Sequence, residues 1–191
     1  MTKREPNPRG AGDQLRAQLV AAASELLLSP QSVALPSLRA VARACDVSPA
    51  AVYLHFDSQK ALIDAVIDTQ LASLGAAVRA APEHPDGAIV AFGLAYADWA
   101  LEHPGAYQLL FESADRLGMG EGDHHASGDE LIAGATALLT ATTSTREPRR
   151  LALSLWSALH GVVSLRLHKP HMDWEVALDE EIRWVVLRLL G

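Results

Sequence analysis

The stretch Ser37–Phe56, SLRAVARACDVSPAAVYLHF, constrains the fold more than any other part of the chain. Pro36 and Ser37 open a short helix with Leu38, Val41 and Ala42 on its inner face. Cys45-Asp46-Val47 reads as a tight turn. Ser48 caps a second helix and Pro49 takes its first position, where a missing N–H costs nothing. That helix is brief and runs through about Phe56. Val47 plugs the turn, Ala42 is small where the helices must approach, and Val52 packs the second helix back. Two short helices joined by a three-residue turn make a helix-turn-helix. The outward face of its second helix carries Ser48, Ala50, Tyr53 and His55. A helix of this size fits a DNA major groove with its N-terminal residues at the base edges.

The rest of the chain is helical in pattern. Residues 1–12 are polar, with two Pro and two Gly, and read as a flexible basic arm. Asp13 is the expected N-cap of a first helix with Leu15, Leu19, Ala22 and Leu26 on one stripe, ended by Ser29-Pro30. Asp57-Ser58 caps a longer helix to about Arg79. Asp86 opens another, with Ile89, Phe92, Tyr96 and Trp99 on one face, and His103-Pro104 ends it and starts the next. Residues 116–128 read as a Gly-rich loop, and Ser127 and Glu130 have capping-box spacing before a helix to about Thr143. Residues 146–168 and 173–190 complete the set. No strand alternation persists and no repeat is found. The expected fold is all-α, with about nine helices. The expected domains are the arm 1–12, a helix-turn-helix domain 13–57 and a second helical domain 58–191.

Charge divides the chain in the same place. The net charge is −7, but residues 1–60 hold 7 Lys/Arg against 5 Asp/Glu and residues 61–191 hold 9 against 18. A basic front and an acidic body suggest that only the front meets an anionic partner. The single cysteine, Cys45, excludes an intrachain disulfide and a Cys-rich zinc site and suits a reducing cytosol. No apolar stretch stands at signal-peptide position, and the longest uncharged runs, such as 151–165, are short for a membrane span. A cytoplasmic location and no membrane partner are expected.

The stretch and its flanks resemble the DNA-binding domain of the TetR family of bacterial transcriptional regulators. The resemblance covers about residues 13–65 and lies in Leu38-Arg39-Ala40-Val41-Ala42, Val47-Ser48, Tyr53, His55-Phe56 and Leu62. It implies a homodimer with one recognition helix per subunit, double-stranded DNA as partner, and a C-terminal domain whose small effector releases DNA. It places Ser37 at a phosphate contact, Ser48, Pro49, Ala50 and Ala51 at the base-facing segment, and Tyr53 and His55 at phosphate contacts. Arg39 joins the DNA-facing set. Two positions depart from the pattern. Asp46 stands where the family usually has Gly, and Asp tolerates the left-handed conformation better than most residues. Gln59 stands where the family usually has Lys or Arg, and Lys60 follows, rotated by about 100° around the helix. Tyr53 also reads as a core aromatic and His55 as a helix-turn contact. Ser and Ala are poor base readers, so specificity would draw on thymine methyls, backbone contacts and DNA shape. Lys3, Arg4 and Arg9 read either as a minor-groove arm or as a solvated tail.

Residues 146–168 are apolar nearly all round, which suits a helix with one side on its own core and the other on a partner. With residues 173–190 they form the expected two-fold interface, through Leu155, Leu159, Val162, Leu165, Trp184 and Leu187. Trp156-Ser-Ala-Leu-His160-Gly161 resembles the Trp…His-Gly motif of one C-terminal subtype of the family. Phe92, Tyr96, Trp99, Tyr107, Phe111, Trp156 and His160 are the candidate lining of an effector pocket, or else simply core. No cluster of positive charge suggests a strongly anionic effector, and a hydrophobic or aromatic molecule fits the set better. His124-His125 and His168/His171 lack a complete ligand set, so no metal and no cofactor are expected. A nucleophile–base pair and a phosphate loop are also missing from the pattern, which argues against an enzyme. The leading reading is a repressor released from a palindromic operator by its effector. The alternatives are a ligand-dependent activator and a helical small-molecule-binding protein without sequence-specific DNA binding.

Overall fold

The computed structural model of the chain describes residues 11–28, 35–111 and 125–191. Nine helices and no strand occur among them: α1 Ala11–Leu27, α2 Leu38–Ala44, α3 Pro49–Tyr53, α4 Gln59–Arg79, α5 Ala88–Glu102, α6 Pro104–Phe111, α7 His125–Thr142, α8 Pro148–His168 and α9 Leu178–Leu190. The arm, apart from its last two residues, and the loop 116–128 up to residue 124 lie outside the described residues.

Three helix starts follow from side-chain capping. Ser37, Ser48 and Ser58 each accept a hydrogen bond from the N–H three residues on, Ala40, Ala51 and Ala61, at 3.2, 3.2 and 3.1 Å. Each bond satisfies one of the N–H groups that a helix start leaves without an intrahelical partner. Other boundaries differ from the sequence expectation. The first helix starts at Ala11, so Asp13 lies in its first turn instead of capping it. Gly87, with φ +98°, precedes α5 in place of Asp86. The seventh helix starts at His125, which puts Ser127 inside it, and the ninth starts at Leu178. The buried stripe of α1 is Leu19, Val20, Ala23 and Leu27, while Leu26 is exposed. Both stripes share Leu19. The observed one continues at i+4 and i+8, where Ala23 brings a small side chain to the contact.

The described chain divides into two compact units, at Thr69–Gln70 within α4 and again at Tyr107–Gln108 within α6. One holds α1–α3, the first half of α4 and the end of α6. Its core includes Leu19, Leu38, Val41, Val52, Phe56 and Leu62. The other holds the rest. There α5 packs on α7, α8 and α9, with Val90, Leu139, Leu155, Leu159, Ile182 and Val186 in the core. By length and composition alone α4 would cross a membrane. It carries Asp64 and Asp68, and Leu62, Ile63, Val66 and Leu74 are buried, as in a core helix.

Gly93 sets the approach of three helices in the second unit. A Cβ there would lie 3.1 Å from Ile182 Cγ2, 3.2 Å from Val186 Cγ2 and 3.4 Å from Leu159 Cδ2. Gly93→Val therefore overpacks the contact and is expected to cost about 1–3 kcal/mol. The check is the urea unfolding midpoint, which should fall; an unchanged midpoint would show that α5 can back away.

Candidate functional site

The turn between α2 and α3 is closed by backbone bonds. Asp46 N–H donates to Arg43 O at 3.2 Å and Val47 N–H to Ala42 O at 3.0 Å. This is the double closure of a helix end with a left-handed residue between the two donors. Asp46 has φ +53°, the one positive φ of a non-glycine among the described residues. Ser48 follows and opens α3.

The sequence-selected residues of this region fall into three groups. Arg39, Ser37, Ser48, Pro49, Ala50 and Tyr53 are exposed, and Ala51 and His55 are half-buried. The Ser37 and Ser48 hydroxyl oxygens accept from the Ala40 and Ala51 N–H groups, which leaves each hydroxyl proton for an outside acceptor. Tyr53 is 58% exposed, so it is not a core aromatic. His55 turns toward the start of α1, where a Cβ at Gly12 would lie 3.8 Å from its Cε1. The next residue, Phe56, is the buried one, with the Arg16 guanidinium 5.0 Å over its ring.

Gln59 and Lys60 have different tasks. Gln59 Nε2 donates to Pro36 O at 3.0 Å and Leu35 O at 3.3 Å, which ties the start of α4 to the segment before α2. Lys60 Nζ lies 2.7 Å from Asp64 Oδ2, one helical turn on. Sequence reasoning passed over Leu54. It directly follows α3 and is 83% exposed beside Tyr53. Its signal was a large apolar residue between two polar-edged neighbours on a helix too short to bury it.

In the second unit the aromatic residues do not gather around one opening. Tyr96, Trp99 and Tyr107 are buried. Trp99 Nε1–H donates to Ser73 Oγ at 3.0 Å, and its ring stacks on His103. The Tyr107 hydroxyl lies 2.7 Å from His160 Nδ1 and 3.1 Å from the His160 carbonyl oxygen. Donation to the carbonyl and acceptance from Nδ1–H satisfies both contacts. Trp156 is exposed and tilts against His160 at 5.7 Å between centroids. Phe111 belongs to the other unit.

A cavity of about 550 Å³ lies instead among the end of α4, residues 81–84, α5 and α7. From the aromatic set it takes only Phe92. Val78, Ala91, Leu131 and Leu138 supply more apolar wall, and Arg79, Glu83, His84 and Glu130 are its charged or titratable groups. A smaller cavity of about 300 Å³ shares His84 and adds Trp99, Asp98 and Glu102. Burial, then the charges of Glu102 and Asp179, push the Asp98 carboxyl upward. His84 is held by the backbone: its Nδ1 accepts from Asp86 N–H at 3.1 Å. The Asp86 carboxylate in turn bonds Arg183 on α9. The Arg183 hydrogen bond holds the Asp86 carboxyl below its ordinary range. Apart from Phe92 and Trp99, none of these lining residues was legible as a site, because small residues and helix ends line the cavities and give no periodic signal. No group of three or more His, Cys, Asp or Glu capable of holding a metal occurs among the described residues.

Comparison with known proteins agrees with this geometry. The family described as "Bacterial regulatory proteins, tetR family" matches residues 19–66, and "Tetracyclin repressor-like, C-terminal domain" matches residues 89–189, more than half of the chain. The chain belongs to the TetR family. It is thus a transcriptional regulator of a family of DNA-binding proteins, not of enzymes. Among solved structures, a protein of unknown function from Rhodococcus sp. RHA1 is 26% identical, with a TM-score of 0.72 over 98% of this chain and 97% of that one. Two further structures share the fold. A TetR family member from Streptomyces coelicolor A3 has 21% identity and a TM-score of 0.72 over 92% and 98% of the chains. A TetR-like transcriptional regulator from Rhodococcus sp. RHA1 has 19% identity and a TM-score of 0.66 over 96% and 97%. No curated protein sequence matches the chain.

TetR regulators form dimers, and the expected dimer residues separate into two sets. Leu155 and Leu159 are buried in the subunit's own core, a correction to their expected partner-facing role. Leu159 closes on Gly93 of α5, and because α8 is apolar nearly all round, periodicity did not say which side faces inward. Leu165 at 50% and Trp184 at 57% exposure, together with exposed Leu187 and half-buried Val162, make up the outer apolar set.

The turn geometry can be tested directly. Asp46→Val places a β-branched residue at φ +53° and is expected to destabilise by about 1–2 kcal/mol, whereas Asp46→Gly is at least as stable as the parent. Thermal unfolding of both variants checks it; equal loss for both would locate the effect in the Asp side chain.

Proposed function

We propose that the chain is a cytoplasmic, homodimeric repressor that binds a palindromic operator and is released by a small hydrophobic or aromatic effector. The observation that carries this reading is the exposed set Ser48, Pro49, Ala50, Tyr53 and Leu54, held by two serine caps and a left-handed Asp46. It offers hydroxyls, a phenol and an apolar tip on one short helix, which suits phosphate contacts, thymine methyls and groove shape. Under this reading Ser37, Ser48, Tyr53 and His55 meet phosphate, Pro49, Ala50 and Ala51 face bases, and Arg39 and Lys60 add charge. Leu54 adds an apolar contact beside Tyr53. The cavity near Phe92 takes the effector. The exposed apolar residues of α8 and α9 support the two-fold interface, and Trp156, His160 and Gly161 keep the spacing of the Trp-His-Gly subtype.

The deciding experiment is selection of DNA by the purified protein from a random duplex pool at moderate salt. Enrichment of one inverted repeat, with half-sites one helical turn (~34–36 Å) or a multiple apart, is the expected result. Failure to enrich any sequence, with no binding at low salt, would favour the reading of a small-molecule-binding protein.

Two substitutions refine it on the selected operator. Tyr53→Phe should weaken binding to all sequences about equally, by roughly five-fold, if its hydroxyl holds a phosphate. Unchanged affinity removes that role. Lys60→Ala should lower the slope of log affinity against log salt by about one unit. An unaltered slope would mean that Lys60 stays with Asp64 on DNA.

A further inference from the structure

We propose that Gln59 is a positioning residue for DNA binding, whose side-chain amide fixes the two peptide planes flanking Pro36 and so places the Ser37 hydroxyl for a backbone phosphate. The assignment deepens the DNA-binding reading and rests on it.

The covalent geometry of the segment leaves little else to fix. The Pro36 ring locks its own φ, and its Cδ restricts Leu35 before it to extended conformations. What stays soft is the rotation of the two peptide planes, through ψ of Leu35, ψ of Pro36 and φ of Ser37. Each plane is rigid, so the direction of its carbonyl oxygen fixes the whole of it. Gln59 holds both oxygens. Its Nε2 donates to Pro36 O at 3.0 Å and to Leu35 O at 3.3 Å, one bond for each amide proton. Among the described residues no other group donates to either carbonyl. Pro36 is buried, and Leu35 and Gln59 are half-buried, which shelters these bonds from competing water.

The plane between Pro36 and Ser37 ends on the Ser37 Cα, so it sets the direction in which that side chain leaves the backbone. Ser37 has φ −67° and ψ 151° and is exposed. Its oxygen takes the Ala40 N–H, and its one proton is left to donate. A hydroxyl on a single carbon has no stem with which to correct a misplaced backbone, so its phosphate contact depends on placement to within a few tenths of an ångström. The post on which Gln59 stands is itself fixed. Ser58 caps α4 by accepting from Ala61 N–H, and Phe56, Leu62 and Ile63 around it are buried. Gln59 carries no charge, and both protons of its amide are taken up by the segment before α2. Its effect at DNA therefore passes through the residue it places.

The test is a double-mutant cycle on the selected operator, with the full-length parent, Gln59→Met, Ser37→Ala and the two combined. Met is close to Gln in length and shape but has no N–H to donate. Gln59→Met should weaken operator affinity about five-fold and leave the slope of log affinity against log salt unchanged, since no cation leaves the surface. With Ser37→Ala already present, the same substitution should cost about two-fold or less, because the hydroxyl it would misplace is gone. A packing role alone would weaken both backgrounds equally. Titration with operator to stoichiometry counts the folded protein in each sample. Gln59→Asn, whose amide is one methylene short of the carbonyls, should repeat the pattern if Gln59→Met does not fold. A parent protein without operator affinity overturns the DNA-binding reading and the positioning role together. Unchanged affinity of Gln59→Met, equal loss in both backgrounds, or a slope lowered by about one unit overturns the positioning role alone.

Discussion

The left-handed turn at Asp46 is the constraint on which the DNA-facing unit depends. Two backbone hydrogen bonds close the end of α2 around it, and both exist only while φ stays positive. The turn sends the chain directly into Ser48, whose hydroxyl closes the start of the next helix. A five-residue helix is far too short to be stable alone. Its direction is therefore set from outside, by the turn before it and by Val52 anchored in the core. An exposed Tyr53 and Leu54 can be held at fixed positions on so short a piece only because its other side is fixed so firmly.

The second unit solves a different problem. Its helices are long and apolar enough to pack in several ways, and Gly93 selects one by letting Ile182, Val186 and Leu159 close on α5. Buried polar groups then find partners that fix rotation as well as distance. Trp99 reaches Ser73 on α4, and Tyr107 reaches both the ring and the carbonyl of His160. These bonds account for the aromatic residues as structural members, and they leave the open volume to the end of α4, where side chains are small.

Legibility followed the same division. Punctuated helices could be read, since Pro49, the serine caps and the Asp46 turn act through local chemistry that a sequence displays. Helices α2 and α3 therefore begin where expected, although α3 ends at Tyr53 and not near Phe56, while α7 begins earlier than the capping-box spacing of Ser127 and Glu130 implied. Burial on an all-round apolar helix could not be read. Leu155 and Leu165 sit on one stripe of α8, yet one is core and the other half exposed, because neighbours and not periodicity choose the inner face. The cavity was the least legible part. Gly75, Ala81, Ala91 and Gly134 make space by carrying a methyl group or no side chain at all.

Charge at the start of α4 shows how a departure from a family pattern can be absorbed. Gln59 replaces a basic residue but its amide ties down the segment before α2, so the position keeps a structural task while losing a charge. Lys60 carries the charge one step around the helix, paired with Asp64. Both partners of that pair are substantially solvent-exposed, and pairs of this kind contribute about 0–1 kcal/mol. On the proposed reading, exchange of Asp64 for a phosphate oxygen therefore costs the protein about 0–1 kcal/mol, and it leaves a carboxylate behind whose charge opposes the DNA. The net effect is a phosphate contact whose electrostatic gain is reduced by the neighbouring carboxylate. That suits a chain whose body carries most of its negative charge, since the acidic residues beyond position 60 already discourage binding anywhere but through the front.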